Sequence, residues 1–296
     1  MIDTIKLTGV ISPPKEVEDR VLNPIEWNGL TFYPDVYNFG LKVLYKARFD
    51  NLTLIIFEDN LTIINSLQKY YCGNNYSDFH LKDIKNAFQK LSYELSLPIE
   101  KFKVKSIDYG VNLPLEAAKV YPYWTEFKNK KFAPMISKGK TYGKKVFMIE
   151  YAIKGYDKTL EAKRHNGIDI RKDLFRFEVG VKRMRHLTKR RSNPINIHYA
   201  QDLFKKSNLI ALSNDLLLKF NSIKRETLFN LEGLTIAEKN IIAVMQNPIH
   251  KEDRMKNNKE AYRKYKRRYN QLIEKAGREL GLDITSLLKS KINELI

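Results

Sequence analysis

Apolar and polar residues alternate with a period of two in several stretches of the first half of the chain. These stretches are residues 3–10, 41–49, 52–57 and 61–67. Alternation puts every second side chain on the same face of a strand, which is the pattern of a half-buried sheet. The last two stretches flank the polar segment 58–60, and a short polar segment between two strands predicts a hairpin.

Between residues 78 and 97 the apolar residues follow the period of a helix instead. Pro98 ends this pattern, because proline cannot continue a helix. The apolar stripe contains Leu81, Ile84, Ala87, Phe88, Leu91 and Leu95. Further strands are predicted at 101–113, 145–153 and 174–182, with a long basic loop between the first two.

From Tyr199 onward the pattern becomes helical. Asp283 or Thr285 can cap a final helix that runs to Ile296. The preceding helices are predicted at 200–206, 209–220, 223–231, 236–245 and about 252–280. The fold class is therefore α+β: a mostly antiparallel sheet flanked by helices, with a helical C-terminal portion. We predict a sheet-based domain over 1–198 and a helical portion over 199–296.

Charge narrows the class of partner. The 296 residues include 53 Lys and Arg against 34 Asp and Glu, a net charge of +19, which indicates a polyanionic partner and favours nucleic acid. No apolar run approaches the roughly 18 residues of a membrane span, and residues 1–10 lack the pattern of a signal peptide. The single cysteine, Cys72, excludes an internal disulfide and a cysteine-built zinc site. We therefore expect a soluble cytoplasmic protein without a membrane partner.

The positive charge is concentrated in three runs that contain no acidic residue. Residues 128–145 hold seven lysines, 182–191 hold six Lys and Arg, and 263–268 hold five. One such run is usually a solvated face, but three runs with interleaved aromatic residues favour phosphate contacts beside stacking groups. The predicted DNA-binding residues are Lys182, Arg183, Arg185, Lys189, Arg190, Arg263, Lys264, Arg267 and Arg268.

Two predicted strands carry polar residues on one face. Asp108 and Asn112 share a face with a glycine between them, which suits a hard divalent cation or, alternatively, an edge strand that faces water. On the strand at 174–182, Arg176 and Glu178 share a face with Gly180. Glu178 is therefore a candidate second metal ligand or one half of a surface ion pair.

Tyr156 lies where a third strand pattern ends, with Lys154 and Lys158 two residues to either side. A tyrosine becomes nucleophilic when a neighbouring cation favours its phenolate. Attack on a DNA phosphate would give a phosphotyrosine link and a free 3′-hydroxyl. A magnesium ion on Asp108 and Glu178 would polarise that phosphate.

Four segments resemble the rolling-circle replication initiators of small plasmids, especially the staphylococcal tetracycline-resistance plasmid type, and the related filamentous-phage replication proteins. Three of them match the family's order: an aspartate-containing strand, a strand ending Y-D/N-K, and a strand of pattern R-x-E-x-x-x-x-R. The segments are SIDYGVNL (106–113), IKGYDKTLEAKRH (153–165), LFRFEVGVKRM (174–184) and KYKRRYNQLIEKAGRELGLDITSLLKSKI (264–292). The resemblance covers roughly 101–296.

The resemblance implies an enzyme that binds the replication origin, nicks one strand and later rejoins it. It places the nucleophile on Tyr156, the adjacent lysine on Lys158, and the ligands of Mg²⁺ or Mn²⁺ on Asp108 and Glu178. Asn112 stands where the family's strand carries its second acid, so it offers a neutral oxygen as a third ligand and leaves the metal affinity and the choice of metal open. The sheet-based domain would then carry the chemistry and the helical portion would bind DNA.

A second tyrosine cluster competes for the nucleophile's role. Tyr262, Tyr265 and Tyr269 are spaced to lie along one predicted helix, and Lys266 follows Tyr262 by one turn. These aromatics can equally pack the helix while its basic face binds phosphate. The resemblance favours Tyr156.

Two other functions remain open. A relaxase of a mobilisable element would share the nicking chemistry, and a non-catalytic DNA-binding regulator would need the basic runs without Tyr156 or Glu178. The expected partner is origin DNA, single-stranded at the nick. A host helicase and a second copy of the chain are further candidates.

Overall fold

One large sheet, with strands from both halves of the chain, positions the residues singled out above. The computed structural model describes residues 1–37, 42–189, 193–225, 233–247, 256–276 and 284–296. Its strands are β1 Ile2–Val10, β2 Ile25–Trp27, β3 Leu30–Tyr37, β4 Lys42–Phe49, β5 Leu52–Phe57, β6 Asn60–Ser66, β7 Lys103–Leu113, β8 Trp124–Phe127, β9 Lys130–Lys131, β10 Ala133–Ser137, β11 Lys140–Phe147, β12 Tyr151–Asp157, β13 Phe175–Val181 and β14 Ile223–Arg225.

Helices surround this sheet. They are α1 Lys15–Glu18, α2 Leu67–Cys72, α3 Leu81–Leu95, α4 Lys158–Asn166, α5 Arg185–Thr188, α6 Lys206–Asn221, α7 Ile236–Gln246, α8 Lys259–Ala276 and α9 Ile284–Leu295. Short 3₁₀ segments lie at Ile99–Lys101, Ala117–Lys119, Tyr121–Tyr123 and Ala200–Phe204. No helix within these described ranges combines the length and apolarity needed to cross a membrane.

The strand order explains why distant segments meet. Over the described residues, the large sheet has 11 strands in the order β10-β11-β12-β13-β7-β1-β6-β5-β4-β3-β2, and a small sheet has the order β14-β8-β9. The recorded strand pairs in the large sheet are antiparallel. The predicted fold class, an antiparallel α+β fold with a helical C-terminal portion, is confirmed.

One face of the central strands is packed with apolar side chains, as the alternation predicts. Phe177 of β13 lies edge-on to Phe220 of α6, with ring centroids 5.0 Å apart. Trp124 packs against both rings and is fully buried. Burying an aromatic side chain of this size contributes roughly 1.5–3 kcal/mol, so this cluster fixes α6 on the sheet. The polar residues of β7, β12 and β13 consequently lie on the opposite face.

The predicted single strand over 145–153 is wrong. The chain turns at Ile149 and Glu150, and β11 and β12 pair with each other, with Val146 opposite Ile153. The turn is hidden in the sequence because Ile149, which is exposed, is apolar where turns usually carry Gly, Asn or Asp. The predicted basic loop also contains β8, β9 and β10.

Part of one predicted helix is wrong as well. The segment 223–231 begins as β14 rather than as a helix, and its remaining residues lie outside the described ranges. The polar run after Tyr156, which carried no helix prediction, forms α4.

The chain forms two compact units. One consists of Met1–Lys224 and Thr285–Ile296, and the other of Arg225–Ile284. The smaller unit has its own apolar cluster, in which Leu234, Ile242 and Leu272 are buried. The functional division at residue 198 stays a prediction, since compactness does not show which residues bind DNA.

Candidate active site on the central strands

The antiparallel register sets the polar residues of three neighbouring strands in rows across one sheet face. The rows, read from β12 through β13 to β7, are Ala152–Gly180–Asp108, Lys154–Glu178–Gly110 and Tyr156–Arg176–Asn112. Residues directly opposite each other in antiparallel strands share a face and lie within side-chain reach. The structure therefore brings Asp108, Glu178, Lys154 and Tyr156 to one place.

Each carboxylate of this face stands opposite a glycine. A Cβ added at Gly180 would lie 2.7 Å from Asp108 Oδ1, and one added at Gly110 would lie 2.6 Å from the Cβ of Glu178. Any larger residue would displace the acid across from it. The glycines noticed in the sequence thus make room for the carboxylates on the adjacent strand.

Lys154 joins the two acids. Its Nζ donates to Glu178 Oε1 at 2.6 Å and to Asp108 Oδ2 at 3.3 Å. The charge of Glu178 raises the pKa of Lys154, although burial opposes the shift. One ammonium group therefore occupies the position between two carboxylates that a metal cation would otherwise take.

Glu178 is bound on its other oxygen as well. Oε2 accepts hydrogen bonds from the Tyr156 hydroxyl at 3.1 Å and from Arg176 Nε at 2.7 Å. Burial alone would raise the pKa of Glu178, but Lys154 and Arg176 together lower it to about 2. The Glu178 carboxylate is consequently ionised at neutral pH and has a partner on each oxygen.

Tyr156 is the next-to-last residue of β12, and its side chain is enclosed by the protein instead of being open to solvent. The residue is only 6% exposed. Burial and the charge of Glu178 raise its pKa well above the usual tyrosine value, and the charge of Arg176 opposes them. In the free protein Tyr156 is therefore a neutral hydrogen-bond donor and not a phenolate.

Lys158 does not continue the strand face of Lys154. It is the first residue of α4, is fully buried, and its Nζ lies 2.5 Å from Glu161 Oε2. Burial, followed by the charge of Arg176, lowers its pKa, and Glu161 opposes this shift. Asp157 caps α4 by accepting a hydrogen bond from the backbone N–H of Leu160 at 2.8 Å.

Arg176 organises the rest of the face from a buried position. Its guanidinium donates to Asp3 Oδ2 at 2.9 Å and to Asn112 Oδ1 at 3.1 Å, in addition to Glu178. The Asn112 amide donates in turn to the backbone oxygens of Asn75 and Tyr76. The oxygen of Asn112 that could bind a metal is thus already bonded to Arg176.

Sequence reasoning missed Asp3, which carries no local signal because it sits 173 positions from Arg176. It also treated Arg176 only as a neighbour of Glu178 in a surface pair. The pair exists, but both side chains are buried.

Asp108 is more accessible than Glu178, the other acid of the predicted metal site: its side chain is 25% exposed, against 5% for Glu178. Burial and the charge of Glu178 raise its pKa to about 6, and Lys154 opposes them. A carboxylate under such repulsion is a natural position for an added cation.

A second group of possible metal ligands lies elsewhere in the larger unit. Ligand atoms of Asp78, His80 and Glu294 lie within 4.8 Å of one another. The Nζ of Lys291 is 2.8 Å from Asp78 and 3.0 Å from Glu294, so the carboxylates already share a cation. Glu294 comes from α9, far along the chain, and only the tertiary structure reveals the group.

The predicted DNA-binding residues are on the surface wherever the structure describes them. Lys182, Arg183 and Lys189 are exposed, and so is Arg185, which pairs with Glu150; Arg190 lies outside the described residues. On α8 the exposed residues are Arg263, Lys264, Arg267 and Arg268.

The rival tyrosines lie on the same helix. Tyr262 and Tyr265 are half-buried, and Tyr269 packs against the apolar cluster of the smaller unit. Arg268 lies 3.0 Å from Glu238 of α7 and helps to join the two helices.

Comparison with known proteins adds little to this geometry. No family model matches the chain, and no curated protein sequence matches it. Among solved structures, the chain is similar to the rolling circle replication initiator protein from Geobacillus stearothermophilus, with a TM-score of 0.36 and 14% sequence identity over 75% of this chain and 84% of that chain. Both values are low, and the match carries no weight for fold or function.

Proposed function

We propose that the protein is a replication initiator of the rolling-circle type, which nicks one DNA strand through Tyr156 and later rejoins it. One observation carries the proposal: the Tyr156 hydroxyl lies 3.1 Å from Glu178, and Glu178 shares Lys154 with Asp108, all on three adjacent strands. A nucleophile, two acids and a cation on one rigid sheet face are the groups that phosphoryl transfer requires. The resemblance of the strand motifs points the same way.

The proposed reaction is a transesterification. The Tyr156 oxygen forms a bond to the scissile phosphorus, the bond from phosphorus to the 3′ oxygen breaks, and the 3′ oxygen takes up a proton. The phenol proton moves along the existing hydrogen bond to Glu178 Oε2. Lys154 and Arg176 stabilise negative charge beside the reacting groups, because both are held next to Glu178. Rejoining is the same exchange in reverse.

The resting arrangement must open for this reaction. Because Tyr156 is buried and its pKa is raised, the side chains around it have to move so that a phosphate can reach the phenol oxygen while the hydroxyl still donates to Glu178. Binding energy from the DNA strand would supply that rearrangement.

Mg²⁺ or Mn²⁺ would be held by Asp108 and Glu178. The fit is chemically sound, because carboxylate oxygens suit hard divalent cations and the two acids already converge on one cationic group, Lys154. Lys154 would have to release at least one of them. A bound ion would act as a Lewis acid on the scissile phosphate. Asn112 would contribute only if it left Arg176.

In this proposal, two surfaces of the protein contact the DNA. The exposed basic residues of α8 bind the origin duplex, and the sheet face with the adjacent residues 182–189 receives the single strand at the nick. A host helicase and a second copy of the chain stay predictions.

A DNA-binding regulator without catalytic activity is the second candidate. The observation that favours it is the burial of Tyr156, whose raised pKa opposes nucleophilic attack in the resting structure. It predicts DNA binding that survives the loss of Tyr156 and no covalent product.

Formation of a covalent adduct separates the two. The wild-type protein, incubated with single-stranded origin DNA and Mg²⁺ or Mn²⁺, should form a DNA adduct that resists denaturing electrophoresis. Tyr156→Phe removes one oxygen and should abolish both adduct and nick with little change in DNA affinity, while Tyr262→Phe and Tyr265→Phe should retain the adduct. A wild-type protein that forms no adduct with any divalent ion would support the regulator, and a DNA-linked peptide from α8 would exclude Tyr156.

A further inference from the structure

An exposed aromatic ring lies on the sheet face of the candidate active site. Phe147 is the last residue of β11, and its partner on β12 is Ala152, which belongs to the row that ends at Asp108. Opposite residues share a face, so the ring stands on the same side of the sheet as Lys154 and Tyr156. Phe147 is 48% exposed, whereas several other phenylalanines of the protein are fully buried.

Two lysines surround this ring. The Nζ of Lys182 lies 4.9 Å from the ring centroid and that of Lys145 lies 5.2 Å away. Lys182 is itself exposed, and Arg183 and Arg185 follow it along the chain. A half-exposed aromatic ring within a cluster of cations is the combination that binds single-stranded nucleic acid: bases stack on the ring and phosphates contact the cations.

We propose that Phe147 is a base-stacking platform for the single strand, with Lys145 and Lys182 contacting the flanking phosphates. The proposed stacking itself depends only on Phe147 and its lysines. Its assignment to the DNA strand being nicked rests on the function proposed above.

Phe147 lies a few nucleotide lengths from the residues of the candidate active site. Three strand spacings separate Phe147 from Asp108, which at about 4.8 Å each is roughly 14 Å. At about 3.4 Å per stacked nucleotide, this is roughly four nucleotides of strand. A base held at Phe147 would fix the register of the strand over Asp108, Lys154 and Tyr156.

The ligand is a single strand and neither a duplex nor a protein. Bases within a duplex are stacked on one another and do not offer a free face to a side chain. A protein partner would be expected to meet an apolar patch, but the immediate neighbours of the ring are ammonium groups. The pairing of an exposed lysine with phenylalanine is weaker than base stacking, so a base can displace Lys182 toward a phosphate.

The test measures binding apart from cleavage. Affinity for a fluorescent oligothymidylate of about 20 nucleotides is determined by anisotropy in the presence of a chelator, for the full chain and its variants. Phe147→Ala should weaken binding roughly fivefold to 150-fold, since this is the contribution of one base stacked on an aromatic ring. Phe147→Trp should retain affinity, and its added fluorescence should be quenched by the oligonucleotide. Since Phe147 is half-exposed, neither change should alter the far-UV circular dichroism.

Phe57 provides a matched control. It is a partly exposed phenylalanine of β5 with Lys42 lying 5.6 Å from its ring, on a strand well away from the candidate active site. Phe57→Ala should leave the affinity for the oligonucleotide unchanged. Equal losses in Phe57→Ala and Phe147→Ala would overturn the inference, as would unchanged affinity in Phe147→Ala or an effect confined to binding of another protein.

The outcomes distinguish this inference from the proposed function. Binding that depends on Phe147 in a protein that forms no covalent adduct would retain the stacking site and exclude the nicking function. An adduct formed by a protein whose binding is indifferent to Phe147 would do the reverse.

Discussion

Glu178 illustrates how strongly single residues are coupled on the candidate face. It is buried, it forms ion pairs with Lys154 and Arg176, and it accepts a hydrogen bond from the Tyr156 hydroxyl. Removing one partner of a buried ion pair costs about 3–5 kcal/mol, because the other charge is left without compensation. Loss of nicking in Glu178→Ala would therefore not separate chemistry from folding, and Asp108 is the better residue at which to test metal binding.

We expect Mg²⁺ or Mn²⁺ to raise the melting temperature of the wild-type protein and to have no such effect on Asp108→Asn. The physical reason is mass action: an ion that binds only the folded state stabilises it, and the neutral amide removes one of the two carboxylates. Differential scanning fluorimetry with and without the ion, without DNA, provides the measurement.

Asp78→Asn is the matched control, since Asp78 belongs to the second group of possible ligands. It should preserve the thermal shift. A shift that disappears in Asp78→Asn and persists in Asp108→Asn would place the ion beside His80 instead.

At the scale of elements, α8 has two distinct sides. Tyr269, Leu272 and Ile273 belong to or pack on the apolar cluster of the smaller unit, while Arg263, Lys264 and Arg267 are exposed. A helix that is apolar on one side and basic on the other can be fixed in the fold and still offer several cations to one phosphate backbone.

Replacing Arg263, Lys264 and Arg267 by alanine should lower affinity for the origin duplex and flatten its dependence on salt. Each lost phosphate contact reduces the logarithmic slope by about 0.9. Arg268 is retained because it joins α8 to Glu238. Cleavage of a short single strand should continue.

The control for this prediction is an α3 variant with Lys82 and Lys85 replaced by alanine, since both are exposed on another helix. Titration of duplex binding at several salt concentrations distinguishes the two variants. An unchanged slope in the α8 variant would make α8 a packing element only.

At the scale of the whole molecule, the residues of the smaller unit form an insertion in the sequence of the larger unit. The chain leaves the larger unit after Lys224 and re-enters it at Thr285, whose hydroxyl lies 3.1 Å from Asn221 Oδ1 at the end of α6. Within α9, Leu288, Ile292 and Leu295 are buried. The final helix is therefore part of the larger unit's fold, even though the sequence groups it with the helices before it.

Replacing residues 226–283 by a short Gly/Ser linker should leave the larger unit folded, because its two ends are already close. It should keep single-strand cleavage and lose the salt-dependent binding of duplex.

Ending the chain at residue 198 should instead abolish cooperative unfolding, since it removes α6 and α9 with their buried side chains. Urea unfolding followed by circular dichroism checks both, and a cooperatively folding 1–198 fragment would contradict this architecture.

The sequence by itself determined which residues share a strand face. Alternation with a period of two is a local property, so it correctly grouped Arg176 with Glu178 and Gly180, and it separated Asp108 from the core residues Ile107 and Tyr109. Helical stripes such as that of α3 were readable for the same reason.

Only the tertiary structure decided the contacts of those residues. Pairing between strands depends on register and on segments far apart in the chain, so Asp3 next to Arg176 and Glu294 next to His80 have no local signature. Burial is decided in the same way. Tyr156 ends a strand as its pattern indicates, but the surrounding fold encloses its hydroxyl against Glu178 and shifts its pKa, because desolvation and nearby charge are properties of the packed environment and not of the residue.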